Sequence, residues 1–198
     1  MLSEIDIARS ELDRARHALA YLKGKLGTEA MRSLLSADLD ESTARAQAWL
    51  EESGGAWQHE SIELIVPGPA AAEFHDWYVA MVEQGREAVM RAGHPEHFVS
   101  HPQPGFIEVV ENVGETELPW HIFYHPLADD DPAFPSPWDD NFSVRFGAQI
   151  LDANGTRVGF TMHQSRDAGD GMHLKLTTHL PARSADRRRP ASPRARST

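Results

Sequence analysis

The chain has 198 residues, 40% of them hydrophobic and 25% charged, with no cysteine, eleven histidines and a formal net charge of −11. The missing thiol excludes a disulfide framework, a cysteine nucleophile and Cys-ligated metal centres, so any metal site must use imidazole, carboxylate and water. No apolar run approaches the roughly 18 residues of a membrane span, and the start Met-Leu-Ser-Glu-Ile-Asp lacks the basic and apolar regions of a signal peptide. The expectation is a cytoplasmic protein without a membrane partner.

Residues 1–52 read as a helical N-terminal segment. Ser3 can cap a first helix, and Ile5, Ala8, Leu12, Ala15, Leu19 and Leu22 recur at 3–4 residue steps. Gly24 and Gly27 are expected to end it, Thr28 to cap a short second helix with Met31, Leu34 and Leu35, and 41–52 to form a third. Such helices either pack on the body or pair with a second subunit as a homodimer arm, with only a short seam.

An α+β domain is expected over 53–180. Residues 61–66 form a strand candidate closed by Pro67-Gly68-Pro69. A helix over 70–92 carries Phe74, Trp77, Tyr78, Met81, Val82 and Val89 on one face. The period then changes to two, giving strands over 106–113, 118–125, 142–151, 157–165 and 172–180. The Pro- and Asp-rich stretch 126–141 reads as a loop of functional length. Helices followed by an antiparallel meander give α+β, a curved sheet on a long helix with a cavity between them.

Residues 181–198, PARSADRRRPASPRARST, carry a local charge of +5, which leaves −16 on the rest. An acidic body repels phosphates, so no nucleic acid partner is expected for it. The basic end holds no large apolar residue and reads as a solvated, disordered tail.

Histidine is the usual transition-metal ligand and the usual acid/base near neutrality. His94, His97 and His101 cluster after the long helix, and His121 and His125 share a strand edge. His163 lies on the fourth meander strand, and alternation points His173 and His179 to solvent on the fifth. Glu111 shares a strand face with Ile107, Val109 and Val113, where a lone carboxylate needs a cation, a metal or a raised pKa unless the frayed strand end reaches water. Glu108 lies on the opposite face with Phe106 and Val110. No Gly-rich phosphate loop follows a strand, and no Gly-x-Ser-x-Gly elbow is present.

The order Val66-Pro67-Gly68-Pro69, Phe74-His75-Asp76-Trp77-Tyr78, His94-Pro95-Glu96-His97, then Glu108-Val109-Val110-Glu111 and His163-Gln164-Ser165-Arg166, resembles the diacetylphloroglucinol/phloretin hydrolase family over roughly residues 60–180. The resemblance implies a Bet v 1-like helix-grip fold and a zinc-dependent hydrolase that cleaves a carbon–carbon bond beside an aryl ketone. It implies metal ligands at His97 or His94 and at Glu111 or Glu108, with His163 as the catalytic histidine near the substrate carbonyl. That family takes two further ligands, a His and a Glu, from a C-terminal helix, whereas residues 181–198 hold neither. Substitution by His121, His125 or His163, or an inactive truncated relative, follows from that gap. The competing expectation is a non-catalytic module that holds a small apolar or aromatic ligand between Trp77, Tyr78, Trp120 and Phe160.

Overall fold

The computed structural model describes residues 3–114 and 116–182. The expected basic tail, from Arg183 onward, lies outside the described residues.

Helix α1 spans Glu4–Ser53 and opens with a capping box. The Ser3 side chain accepts from the Asp6 N–H, and the Asp6 carboxylate accepts from Ser3. Three helices expected from the sequence are thus one, interrupted only at Gly27 (φ 70°, ψ 177°). Gly24 stays helical, a cost of about 1 kcal/mol against Ala that packing nearby can offset. Up to Leu26 the helix is an arm exposed along almost its whole length. Beyond Gly27, Met31, Leu35, Leu39, Ala46 and Trp49 form a stripe that meets the body. Gly54 closes the helix in the left-handed conformation (φ 60°).

Strand β1 spans Trp57–Pro67, and the chain then enters α2 (Ala71–Glu83) and α3 (Glu87–Ala92). The single helix expected over 70–92 is broken at Gly85 (φ 62°), where the chain can turn at no steric cost. Ala70 offers no side-chain cap to α2; Asp167, from a distant strand, accepts the Ala71 N–H at 2.8 Å instead.

Six more strands follow: β2 His97–Gln103, β3 Phe106–Glu111, β4 Trp120–Leu127, β5 Val144–Asp152, β6 Arg157–Ala168 and β7 Gly171–Pro181. Strand β2 is absent from the sequence reading, because His97, Ser100, His101 and Pro102 dilute the alternation that marks a strand. All seven pair antiparallel in the order β1-β7-β6-β5-β4-β3-β2. Helices α2 and α3 carry the chain from one edge of the sheet to the other, so a meander β2–β7 returns to close on β1. This is the helix-grip arrangement of an α+β fold.

Register sorts the strands into two faces. The helix face holds Ile107, Val109, Glu111, Trp120, Ile122, Tyr124, Phe146, Ile150, His163, Leu174 and Leu176. Helix α2 lies on it, with Ala71 and Phe74 against Met172 and Leu174 and with Tyr78 against Phe146. The loop face holds Glu108, Val110, His121, Phe123, Gly147, Phe160, Met162 and His179. Met31, Leu35 and Leu39 of α1 cover its β2–β3 side around Val99 and Val110. The β4–β5 loop covers the other side, with Phe134 and Trp138 so close over Gly147 that a Cβ there would sit 2.5 Å from the Phe134 ring. The expected functional loop is therefore a cover for the sheet's outer surface. Edge strand β1 is the open side: Ile62, Leu64 and Ile65 remain exposed on it, and beyond β7 it pairs with no other strand among the described residues.

Candidate functional site

The polar centre of the helix face is built around Glu111, at the last position of β3. The β-bulge between His97 and Val99 sets His97 directly across from it. His97 Nε2 meets Glu111 Oε2 at 2.6 Å, and Tyr124 Oη donates to Glu111 Oε1 at 2.7 Å. The His97 Nδ1 faces the Met90 carbonyl at 3.2 Å. Both ring nitrogens thus face acceptors, and only an imidazolium can donate to both. Burial by itself lowers the His97 pKa, but the hydrogen bond and charge of Glu111 with the Met90 carbonyl outweigh it, and the imidazole is raised above its ordinary range. Burial, then the charge of Glu111, pushes the Tyr124 phenol well up and the Tyr78 phenol up as well.

The backbone flanking His97 is fixed from outside the sheet. Lys23 of α1, itself buried, donates to the Pro95 carbonyl at 2.9 Å and to the His97 carbonyl at 2.7 Å. Burial, with the nearby Arg91 charge, lowers its pKa.

The apolar part of the face centres on Phe146, whose ring lies 5.4 Å from Tyr78, 5.1 Å from His163 and 6.0 Å from His75. His163 is half-buried with its Nδ1 buried and without a hydrogen-bond partner among the described residues, and burial drops its pKa to about 4, so the ring is neutral at pH 7.

The expected site residues therefore divide. His97 and Glu111 meet, and Tyr78 and His163 share their face of the sheet. His94 does not join them: it is exposed, and its Nδ1 accepts from the Glu96 N–H within its own turn, although its ring lies 5.3 Å from that of His97. Trp77 points outward from α2 at 46% exposure beside Phe74. Trp120 is a core residue, edge-on to Trp49 at 6.0 Å. Phe160 lies on the loop face between Trp57 and Phe134. The four aromatic walls thus do not enclose one space, because alternation places Phe160 on the opposite side of the sheet from Tyr78. Glu108, His121 and His125 are also on the loop face, too far round the sheet to complete a ligand set with Glu111.

His179, expected at the surface, is buried, with Nε2 3.1 Å from Ser136 Oγ of the covering loop. His173 is half-buried, at 2.8 Å from Glu63 and edge-on to Phe142. The covering loop accounts for both corrections, because it turns a face that alternation marks as outer into an inner one.

Among the described residues no group of three or more His, Asp and Glu side chains is arranged to hold a metal ion. His97 and Glu111 alone fall short of the three protein ligands a catalytic zinc requires. Tyr124 and Phe146 were missed in the sequence. Tyr124 carried a usable signal, since it alternates with Ile122 on β4 and faces Ile107 across the register.

No family model matches the chain, and no curated protein matches it. Among solved structures it is similar to Ara h 8.0201, a Bet v 1 family allergen, at 13% identity and a TM-score of 0.36, covering 69% of this chain and 84% of that one. At that score the likeness carries no weight for function, and the fold rests on the strand order. The hydrolase resemblance has no support from either sequence comparison. No described helix is long and apolar enough to cross a membrane.

Proposed function

We propose that the protein binds a small aromatic or apolar molecule bearing a hydroxyl group on the helix face of its sheet. The observation that carries this reading is the Glu111 carboxylate, held by His97 at 2.6 Å and Tyr124 at 2.7 Å amid apolar neighbours. A carboxylate oxygen keeps a second lone pair after one hydrogen bond, so Glu111 can accept a ligand hydroxyl without giving up either partner. Phe146, Tyr78 and the neutral His163 ring supply aromatic contact, and the exposed Ile62 and Leu64 extend an apolar surface toward the β1 edge. A few fixed polar groups set in an apolar surface are what small-molecule sites use for orientation.

Zinc-dependent hydrolysis is the narrower reading. The meeting of His97 and Glu111 favours it, while the lack of a third described ligand counts against it. Calorimetric titration with 4-hydroxyacetophenone, with and without zinc, separates the two. Saturable binding without metal, weakened at least tenfold by Glu111→Gln and unchanged by Asp140→Asn on the loop, supports the binding module. Binding that needs stoichiometric zinc, with cleavage of the aryl ketone, replaces it with the hydrolase. No binding in either condition overturns the proposal for this ligand class.

A further inference from the structure

The arm of α1, Glu4 to Leu26, is a three-heptad seam with no partner among the described residues of its own chain. Ile5, Leu12, Leu19 and Leu26 recur every seven residues, and Ala8, Ala15 and Leu22 fall between them, so the steps alternate three and four without exception. Ile5 is 65% exposed, Leu12 49%, Leu22 58% and Leu26 41%. The body does not occlude this seam: it touches the arm through Lys23, one position round the helix from Leu22, and Leu22 and Leu26 stay exposed beside that contact. A helix of this length draws most of its stability from burying an apolar face, and among the described residues this face is left largely uncovered, only Leu19 being half-buried.

We propose that the arm pairs with the arm of a second copy of this chain, in parallel and in register. Charge on the flanks of the seam selects the partner and the orientation. In a parallel pair, each residue just before an Ile5-type position faces the residue five places later on the other helix. That sets Glu4 against the partner's Arg9 and Glu11 against the partner's Arg16, two attractive contacts that the two-fold axis doubles. An antiparallel pair centred on Ala15 sets Arg16 against its own copy and Arg9 near Lys23, a like-charge contact whose lysine is already committed to the Pro95 and His97 carbonyls. Ala8 and Ala15 in the seam let the two backbones approach closely, and Leu12, Leu19, Leu22 and Leu26 fill the layers around them.

Sedimentation velocity at tens of micromolar is expected to give twice the chain mass of 22.0 kDa, and Leu12→Glu the chain mass. Two flank variants test the pairing rule without touching the seam. Arg9→Glu with Arg16→Glu makes both flanks acidic, and Glu4→Lys with Glu11→Lys makes both basic. Each alone is expected to dissociate at least tenfold more readily than the wild type, and an equimolar mixture to form a heterodimer in native mass spectrometry. Because the chain has no cysteine, Ile5→Cys supplies its only thiol and is expected to cross-link to its own copy under mild oxidation. A monomeric wild type, flank variants that dimerise as well as the wild type, or cross-linking by Ala15→Cys but not by Ile5→Cys each overturns the parallel pair.

Discussion

Glu108 and Glu111 stand three residues apart on one strand, on opposite faces of the sheet, and each is met by a histidine. Glu108 takes His121 Nε2 at 2.8 Å and also Arg32 at 3.3 Å, beneath α1. Glu111 takes His97 and a tyrosine hydroxyl, with no permanent cation beside it among the described residues. The arginine beside Glu108 is charged at every relevant pH, so that carboxylate is neutralised and closed. The charge balance of Glu111 depends on an imidazole that titrates. The difference teaches how one strand serves two ends: a carboxylate with a fixed counter-ion helps hold a helix on the sheet, and one with a titratable partner stays available to a ligand.

The contrast can be broken most forcefully at Glu108. Glu108→Ala leaves His121 without its acceptor and Arg32 with Glu29 alone, and stranding a buried donor in this way costs about 3 kcal/mol. Urea unfolding should show this drop, and a loss below about 1 kcal/mol would remove the structural role assigned to Glu108.

Acid acts next, through the buried histidines. His163 and His179 are held at about 4 by burial, His179 also by the neighbouring His59, against about 6.5 in an unfolded chain. Between these values the unfolded chain binds protons that the folded chain refuses, so stability falls as pH drops below about 6.5. By pH 5 the loss is about 2 kcal/mol at each ring. His97 has the opposite sign: its folded pKa is raised, so its contribution is complete below about pH 6.5 and is lost as pH climbs through the raised value. Denaturant midpoints from pH 5 to 8 should therefore rise with pH more shallowly than the two buried rings alone would give, and His179→Gln should flatten the acid limb. A profile that stays flat between pH 5 and 6.5 would contradict the burial of both rings.

Gly147→Ala probes the sealed face. Its new methyl meets Phe134 at 2.5 Å, and overpacking of this kind costs about 1–3 kcal/mol, visible as a lower thermal midpoint. The smallest stability effect is expected at Glu111→Gln, about 1 kcal/mol, because Tyr124 and His97 keep a hydrogen-bonding partner. Its sharper signature is electrostatic: the His97 pKa, followed by imidazole proton resonances, should fall. An unchanged His97 titration would mean that the two groups are not coupled.

The α+β class, the meander and five of its strands were legible because two-residue alternation survives wherever one face is buried. The α2 pattern was legible for the same reason at helical period. Strand β2 was not, since its Pro and His residues carry no alternation, and the break at Gly85 was hidden by a helical pattern that continues on both sides. Within the site, β-branched neighbours flagged Glu111, and proximity along the chain flagged His97. The failures at His173 and His179 share one cause. Sequence alternation separates two faces but cannot say that residues 128–143 fold back over one of them.

The bare edge of β1 has a consequence beyond ligand access. Its outer backbone groups lack a strand partner among the described residues, and Ile62, Leu64 and Ile65 stand exposed along it, the combination through which sheets add to one another and aggregate. Glu60 flanks that run and Glu63 interrupts it, and charges set among apolar strand residues act as gatekeepers against such growth. The edge's resistance to strand addition therefore leans on two glutamates that take no part in the core, and neutralising them is expected to promote association of folded copies before it lowers the melting temperature.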